Sequence, residues 1–424
     1  MTTDLRDPLA VCAALGVNCA DIIRTTWPQS ARTFTPGAFY LKEDWVRQTC
    51  QTLRFDPGVT DALAEAAAAT LGNLPLERLL WHCRWLICDS GYEPKIGEWP
   101  EFPDAMGPAG LLFYGLLTLS AYPHMLAIHA GRGIELEDTI ESLASLETWI
   151  LDYKRLQGVW RFPRMGWLQH HVRGNLHKLG RLEYLPGSYY HNFRWYRHTA
   201  SGRVIALAED GCLFRPDGQF ASADGGEVWD NLWRSRLTET LETITGNPVS
   251  PLGHVLPKTV TLDTSEWCEV LRKGDPVVTV HIPAKGSMDY ALCGESFVHA
   301  RDFYAKHFPD LKYRAFTCTS WLLDPQFEHL SPSPPNISAC LAEWYLHPAE
   351  GARDQQTWER IFDLFGGSKP DWANAPRDTS LRRAVIDFEL KGGHLRGSGA
   401  VIFPEDLDWG KQVYRSTFAS EVME

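Results

Sequence analysis

PVVTVHIP, residues 276–283, is an apolar run rich in β-branched side chains that ends on a proline. This pattern is typical of a buried strand. A polar turn, AKGSMD at 284–289, follows, and a helical pattern then runs through Phe308. A second strand-like run covers 313–323 and contains CTSW at 318–321. Strand, loop, helix and strand in about fifty residues predict one βαβ crossover with two parallel, buried strands.

The loop after the first of these strands is a natural place for an anion. Free N–H groups at the N-terminus of the following helix point outward there and carry a partial positive charge. We therefore expect the active site at this end of the crossover.

Length, charge and hydropathy limit the class of protein. A chain of 424 residues is too long for one ordinary core, so two or three domains are expected. The formal charge of −12, from 41 basic and 53 acidic residues, argues against nucleic-acid binding, which needs a basic surface. Residues 1–8 lack the pattern of a signal peptide.

The longest apolar stretch, 109–130, is interrupted by Gly115, Pro123 and His124. These interruptions favour buried helices over a membrane span, so no membrane association is expected. The ten cysteines are scattered, and a reducing compartment would keep them as thiols. We expect a cytoplasmic protein.

The first half of the chain is helical in character. Apolar residues recur at helical spacing in 61–72, 76–88, 108–120 and 137–156. This periodicity predicts a helical N-terminal domain over residues 1–150.

The second half, residues 151–424, has strand patterns separated by turn residues, and an antiparallel meander is expected at its start. The expected elements are strands at 180–185, 192–198, 203–209, 339–347 and 384–390, and helices within 229–241 and near 355–365. The predicted class is therefore α+β, with helices first and a mixed, mostly antiparallel sheet flanked by helices afterwards.

Several motifs resemble a bacterial family of acyltransferases, in which a helical N-acyltransferase N-terminal domain precedes a GNAT-like (N-acetyltransferase-type) C-terminal domain. These motifs are LRKGDPVVTVHIPAKG at 271–286, CGESF at 293–297, ARDFY at 300–304, CTSWLLDP at 318–325 and PNI at 335–337. The resemblance covers both halves of the chain.

This resemblance implies transfer of an acyl group from an acyl-coenzyme A (acyl-CoA) to a small-molecule or protein amine. It also implies a sheet that opens between the strands at 277–282 and 313–323, with the pantetheine arm of coenzyme A in the gap. The pyrophosphate would lie on the loop 284–289.

One departure from the family pattern concerns this loop. The usual Gln/Arg-x-x-Gly-x-Gly/Ala sequence is absent, and only Lys285, Gly286 and Ser287 offer comparable groups. Another acyl donor therefore stays open. Ile282 and Thr319, at the two strand ends, complete the expected cofactor-binding set.

Amine acylation needs a base for the ammonium, donors for the oxyanion and an acid for the leaving thiolate. His281, at the end of the first strand, could act as the base, because imidazole titrates near neutrality; a hydrogen bond to backbone at a strand end is the alternative. Glu183 is the second candidate base, since the resemblance implies an acid on an early strand; a solvated strand face is the alternative. Tyr345 is the candidate acid, by analogy with a tyrosine that follows the fifth strand in the family.

Cys318 and Ser320 lie two apart on one strand, so their side chains face the same way. Ser320 could donate to the thioester, and Cys318 could be a nucleophile activated by His281. A buried core thiol is the alternative for Cys318. Trp321 and Asn336 are candidate acceptor-binding residues, with core packing and capping as their alternatives.

No metal is expected. His170, His171 and His177 are close in sequence but do not form an H-E-x-x-H motif, and solvated or capping roles are favoured for them.

Two other functions remain open from the sequence. One is a non-catalytic protein that binds or senses an acyl or pantetheine ligand through a degenerate GNAT-like domain. The other is a thioesterase or transacylase that uses Cys318.

Overall fold

The computed structural model describes residues 3–92, 96–162, 165–222, 229–283, 286–330, 335–351, 354–364 and 368–418. The chain divides into two compact units, Met1–Leu179 with Pro283–Lys285, and Gly180–Ile282 with Gly286–Glu424. The first unit extends past the boundary predicted at residue 150, because one helix runs from Leu136 to Gln157.

The first unit is built from helices, as its sequence predicts. Its elements are α1 (Pro8–Leu15), α2 (Asp21–Ala31), α3 (Glu43–Thr52), α4 (Pro57–Thr70), α5 (Leu74–Cys88), α6 (Gly107–Leu111), α7 (Phe113–Ser120), α8 (Tyr122–Gly131), α9 (Leu136–Gln157), α10 (Met165–Val172) and the short strand β1 (His177–Leu179).

Local capping explains where several of these helices begin. The Asp56 side chain accepts a hydrogen bond from the N–H of Gly58 at the start of α4, and Asn73 accepts one from Leu76 at the start of α5. A proline follows each cap within two residues, where a missing N–H costs nothing.

The apolar stretch predicted to be buried forms α6, α7 and α8. Within the described residues, one helical stretch, 104–131, is long and apolar enough to cross a membrane by length and composition, and 67% of its most apolar window is buried inside the protein. A buried core helix of a soluble protein has the same properties.

The second unit combines strands and helices. Its elements are β2 (Leu182–Ser188), β3 (Phe193–His198), β4 (Val204–Ala208), β5 (Leu213–Phe214), β6 (Trp233–Arg234), β7 (Leu237–Glu239), β8 (Thr243–Gly246), β9 (Pro248–Ser250), β10 (His254–Val255), β11 (Val260–Asp263), β12 (Trp267–Leu271), β13 (Pro276–His281), α11 (Tyr290–His307), β14 (Phe316–Ser320), α12 (Pro335–Ala342), β15 (Tyr345–Pro348), α13 (Asp354–Phe362), α14 (Ser380–Leu390), β16 (Ser398–Ile402) and α15 (Val413–Phe418).

The main sheet of this unit contains the predicted crossover. Its strands lie in the order β2-β13-β14-β16-β15. Strands β13 and β14 are parallel, and α11 connects them. The other neighbouring pairs are antiparallel. The βαβ prediction is confirmed.

Helix α11 covers one face of the main sheet. Its Phe297 ring contacts Tyr184 of β2 and Phe316 of β14, at centroid distances of 5.9 and 5.5 Å. Because side chains alternate along a strand, neighbouring residues such as Glu183 and Thr317 point to the opposite face. We call this opposite side the polar face.

A second sheet, of order β10-β9-β4-β3-β12, packs against part of the polar face. Trp195 of β3 meets Tyr345 of β15 edge to face at 4.9 Å and Phe403 at 5.9 Å. These aromatic contacts lie over the β15 and β16 side of the main sheet.

Some expected elements were wrong. The meander fails because β2 pairs with β13, while β3 and β4 pair in the other sheet. The segment 229–241 forms β6 and β7 instead of a helix, and 339–347 is divided between α12 and β15. Residues 384–390 lie in α14 because Thr379 caps it, accepting a hydrogen bond from the N–H of Arg382. That capping signal outweighs the β-branched pair inside the helix.

Candidate active site

Strands β13 and β14 part from each other within the main sheet. They pair at Val278 with Phe316 and at Thr279 with Thr317. Beyond that point β13 stays paired only with β2, and β14 only with β16, in the described registers. We call the resulting gap between residues 280–282 and 318–320 the slot. The family resemblance implies a parting after His281 and near Cys318; in the structure the last pair is Thr279 with Thr317, so the pairing ends two residues before His281.

The register identifies which side chains face each other across the slot. His281 and Thr319 each lie two residues after the last pair, Thr279 and Thr317. Both therefore share the polar face. An extended ligand in the slot would lie between a histidine on one strand and a threonine on the other.

Thr279 orients the His281 ring. The Thr279 hydroxyl donates to the Leu185 carbonyl at 2.8 Å and lies 3.2 Å from Nε2 of His281. Since its one hydrogen is engaged, this hydroxyl accepts from the ring, which assigns the proton to Nε2. Nδ1 is then the basic nitrogen of His281.

The two candidate bases lie together. Glu183 of β2 is the direct register partner of His281, and it is buried, at 5% exposure. Directly opposed residues of antiparallel strands have Cβ atoms about 4.5–5.5 Å apart. A carboxylate at this position can stabilise an imidazolium on the neighbouring strand.

On the other side of the slot, two residues hold the Thr319 hydroxyl. Tyr190 Oη lies 2.8 Å and His191 Nε2 lies 3.0 Å from Thr319 Oγ1. Neither Tyr190 nor His191 was identified from the sequence, because SYYHN at 188–192 reads as a turn between two strands. A tyrosine next to a histidine in a turn is the sequence signal that could have indicated these two residues.

A second histidine supports His191. The rings of His191 and His347 lie 4.5 Å apart, and Nδ1 of His347 donates to the Pro348 carbonyl at 2.9 Å. Burial, followed by the charge of His347, lowers the pKa of His191 to about 2. Burial lowers the pKa of His347 to about 4. Both imidazoles are therefore neutral near pH 7.

Cys318 does not fit the role of a nucleophile. It points to the α11 face, like Phe316 two residues earlier, and it is 4% exposed. Burial raises the pKa of its thiol to about 12, so the reactive thiolate is not available at neutral pH. Its burial favours the alternative, a buried core thiol.

Two hydroxyl candidates also have structural roles. The Ser320 hydroxyl accepts a hydrogen bond from the N–H of Leu322 at 3.2 Å and caps a short 3-10 helix. Tyr345 is fully buried, its hydroxyl donates to the Val249 carbonyl, and burial raises its pKa. The hydrogen of the Tyr345 hydroxyl is therefore engaged with the second sheet and not with the slot, and its role as the acid stays a prediction.

The acceptor-binding candidates lie at nearby chain turns. Trp321 begins the 3-10 helix after β14, and its ring lies 6.0 Å from Phe327. Asn336 is exposed in the first turn of α12. Their roles toward an acceptor stay predictions.

The loop after β13 carries the other cofactor candidates. Ile282 is half-buried, while Gly286, at φ +92°, and Ser287 are exposed; Lys285 lies outside the described residues. The Arg181 guanidinium donates to the carbonyls of Gly286, at 3.0 Å, and Ser287, at 2.7 Å.

Asp289 caps α11, as expected, by accepting from the N–H of Leu292 at 3.0 Å. The loop thus differs from a bare helix N-terminus, because a carboxylate already occupies the cap.

No group of three or more His, Cys, Asp and Glu side chains within the described ranges is arranged to hold a metal ion. His171 contacts the Ser142 carbonyl through Nδ1 at 2.9 Å, and His177 is buried.

Comparison with known families assigns both halves of the chain. Residues 44–174 match the N-acyltransferase N-terminal domain, and residues 176–402 match the GNAT-like C-terminal domain. The second match covers more than half of the sequence, so this chain belongs to the family with the GNAT-like C-terminal domain. The resemblance seen in the sequence is confirmed.

Solved structures share the fold across 94% of this chain and 99% of their own length. They include an acyltransferase in complex with decanoyl-CoA and teicoplanin (21% identity, TM-score 0.61), one with CoA and 10C-teicoplanin (20%, 0.62), and an acyltransferase mutant with octanoyl-CoA (20%, 0.61). A search of curated proteins gave no match.

Proposed function

We propose that this protein transfers an acyl group from an acyl-CoA thioester to an amine. The observation that carries the proposal is the parting of β13 from β14 after Thr279 and Thr317. Two parallel neighbours that separate in mid-sheet expose backbone groups that would otherwise pair, and the amides of a pantetheine arm can pair with such an edge.

The donor would lie in the slot with its thioester between His281 and Thr319. Ile282, Gly286 and Ser287 follow His281 along the chain and would hold the phosphate end; Lys285 is a further candidate from the sequence alone. The family match supports coenzyme A as the carrier.

His281 would act as the base. Its Nδ1 takes a proton from the acceptor ammonium, and the free amine then attacks the thioester carbon. The Glu183 carboxylate on the adjacent strand would stabilise the imidazolium that forms. The C–S bond then breaks, and the thiolate leaves and is protonated from solvent.

The acceptor is proposed to be an amine on a small molecule, with Trp321 and Asn336 as the residues to test for binding it. Neighbours that share the fold were solved with a glycopeptide, teicoplanin, and with octanoyl- and decanoyl-CoA. These ligands support donors of medium chain length as the first to test. We place the reaction in the cytoplasm.

Turnover tests this proposal directly. Acetyl-, octanoyl- and decanoyl-CoA are incubated with a panel of primary amines, while thiol release is followed by colour and the amide product by mass. H281Q should lower kcat/KM by roughly 100-fold or more, since a positioned base contributes about that much. H299Q, at an exposed histidine of α11, is the matched control and should match the wild type.

A binding protein without catalysis gives a different result. Acyl-CoA would then raise the melting temperature, while no donor and amine pair releases thiol. That outcome would replace the transferase by a sensor or carrier of acyl-CoA.

A further inference from the structure

Thr319 is the first polar side chain of β14 beyond the point where the slot opens. Thr317, in the last pair, is buried at 5% exposure, whereas Thr319 is exposed. By register Thr319 faces His281 across the slot. The Thr319 hydroxyl can therefore reach a bound ligand from the side opposite His281, the proposed base.

Two neighbours of Thr319 can each donate a hydrogen bond to its hydroxyl oxygen. Tyr190 Oη and His191 Nε2 lie 2.8 and 3.0 Å from Thr319 Oγ1. A hydroxyl has one hydrogen and two acceptor lone pairs. When both neighbours donate, the lone pairs are occupied and the O–H of Thr319 is directed to a third group.

The ring that contacts His191, that of His347, is fully buried and uncharged near pH 7. The His347 ring rests directly on Gly399, where an added Cβ would lie 2.0 Å from ring carbon Cε1. Gly399 is also the register partner of Thr319 on the adjacent strand. His191 contacts His347, and His347 contacts Gly399. The position of His191 therefore depends on the pair of strands, β14 and β16, that carries Thr319 and Gly399.

We propose that the Thr319 hydroxyl donates a hydrogen bond to the thioester carbonyl oxygen, and that Tyr190 and His191 are the residues that position it. This inference rests on the proposed function. Thr319 is the catalytic residue, and the other two act through it.

The carbonyl oxygen is the partner because it gains charge during the reaction. When the amine nitrogen bonds to the carbonyl carbon, the π electrons move onto this oxygen. They return when the C–S bond breaks and its electron pair leaves with sulfur. A donor fixed in advance stabilises that charge more than it stabilises the bound substrate.

The kinetic test compares variants of the three residues with octanoyl-CoA. T319V should lower kcat roughly 100-fold, the scale for loss of one such donor, with KM for octanoyl-CoA within twofold of wild type. T319S, which keeps the hydroxyl, should recover most of the rate. Y190F and H191A should each lower kcat by about three- to tenfold, and should have little further effect in the T319V background.

Matched controls address folding and general surface effects. T261V removes an exposed strand hydroxyl that also bonds another threonine, Thr245, at 2.9 Å. Y92F removes the hydroxyl of another exposed tyrosine. Both should keep the wild-type kcat.

A spectroscopic readout separates a donor from a structural residue. The infrared stretch of a ¹³C-labelled thioester carbonyl in octanoyl-CoA, bound without acceptor, should move to lower frequency in the wild type. This shift should be lost in T319V and retained in T319S.

The outcomes distinguish this inference from the proposed function. If the wild type binds octanoyl-CoA without turnover, the transferase fails, but the carbonyl shift and its loss in T319V still support the donor. An unchanged shift in T319V, equal losses of kcat in T319V and T319S, or no binding of octanoyl-CoA would each overturn the role of Thr319.

Discussion

Replacing Gly399 by alanine tests the geometry beside the slot. The added Cβ would lie 2.0 Å from Cε1, 2.6 Å from Nε2 and 2.7 Å from Nδ1 of His347. Carbon contacts need at least about 3.4 Å, so the ring must move by more than about 1 Å. His347 is fully buried and packs against His191 and Phe193, at 4.5 and 4.9 Å, so it has no free space to enter.

Overpacking of this kind costs about 1–3 kcal/mol, and more where the backbone cannot adjust. The melting temperature of G399A should fall by about 2–4 °C for each kcal/mol, measured by differential scanning calorimetry. The displaced ring should also move His191, so thiol release should slow. G131A is the matched control, because Gly131 ends α8 with open space around it, and it should be neutral or slightly stabilising.

The double variant G399A/H347A identifies the cause. If the clash with the ring is responsible, the double variant is less destabilised than the sum of the single changes, because the two sites are coupled. A melting temperature of G399A equal to wild type, or additive effects in the double variant, would refute the packing of His347 on Gly399.

Three further predictions follow from buried groups. C318A should keep turnover and wild-type donor KM, because the Cys318 thiol has its pKa raised to about 12 by burial; loss of thiol release in C318A would restore the covalent mechanism. Burial raises the pKa of Asp324 to about 6, above the 3.8 of an exposed carboxyl. The neutral Asp324 carboxyl therefore stabilises the folded protein fully below pH 4. This contribution to the unfolding free energy, roughly 3 kcal/mol, is lost as pH rises through 6. D324N should flatten this part of the plot of unfolding free energy against pH. R78A should lower the unfolding free energy by about 2–4 kcal/mol, since the buried Arg78 guanidinium bonds Ser30 Oγ at 2.9 Å and the Trp27 carbonyl at 3.0 Å; an unchanged urea midpoint would contradict this.

The crossover could be predicted from sequence because its signals are local. Residues 276–283 combine β-branched residues with a closing proline, and Asp289 marks the start of the helix. The strand ends then place His281 and Thr319 without knowledge of any contact. The family motifs lie in the same segment, which is why the fold class and family were also predictable.

How the polar groups lie relative to one another around the slot could not be predicted, because they come together only through pairing of distant strands. Glu183 meets His281 through the register of β2 on β13, and His191 meets Thr319 across 128 residues of sequence. Tyr345 was chosen by analogy, yet the second sheet buries it against Val249. Similarly, β2 looked like the first strand of a meander because its pairing with β13 leaves no local pattern.

The most direct test of the central claim is a crystal structure of the protein with octanoyl-CoA. We expect the pantetheine arm between residues 280–282 and 318–320, with the thioester carbonyl within hydrogen-bond distance of Thr319 Oγ1 and on the same face as His281. Coenzyme A bound elsewhere, or β13 and β14 paired through His281 and Thr319 with no opening between them, would contradict it.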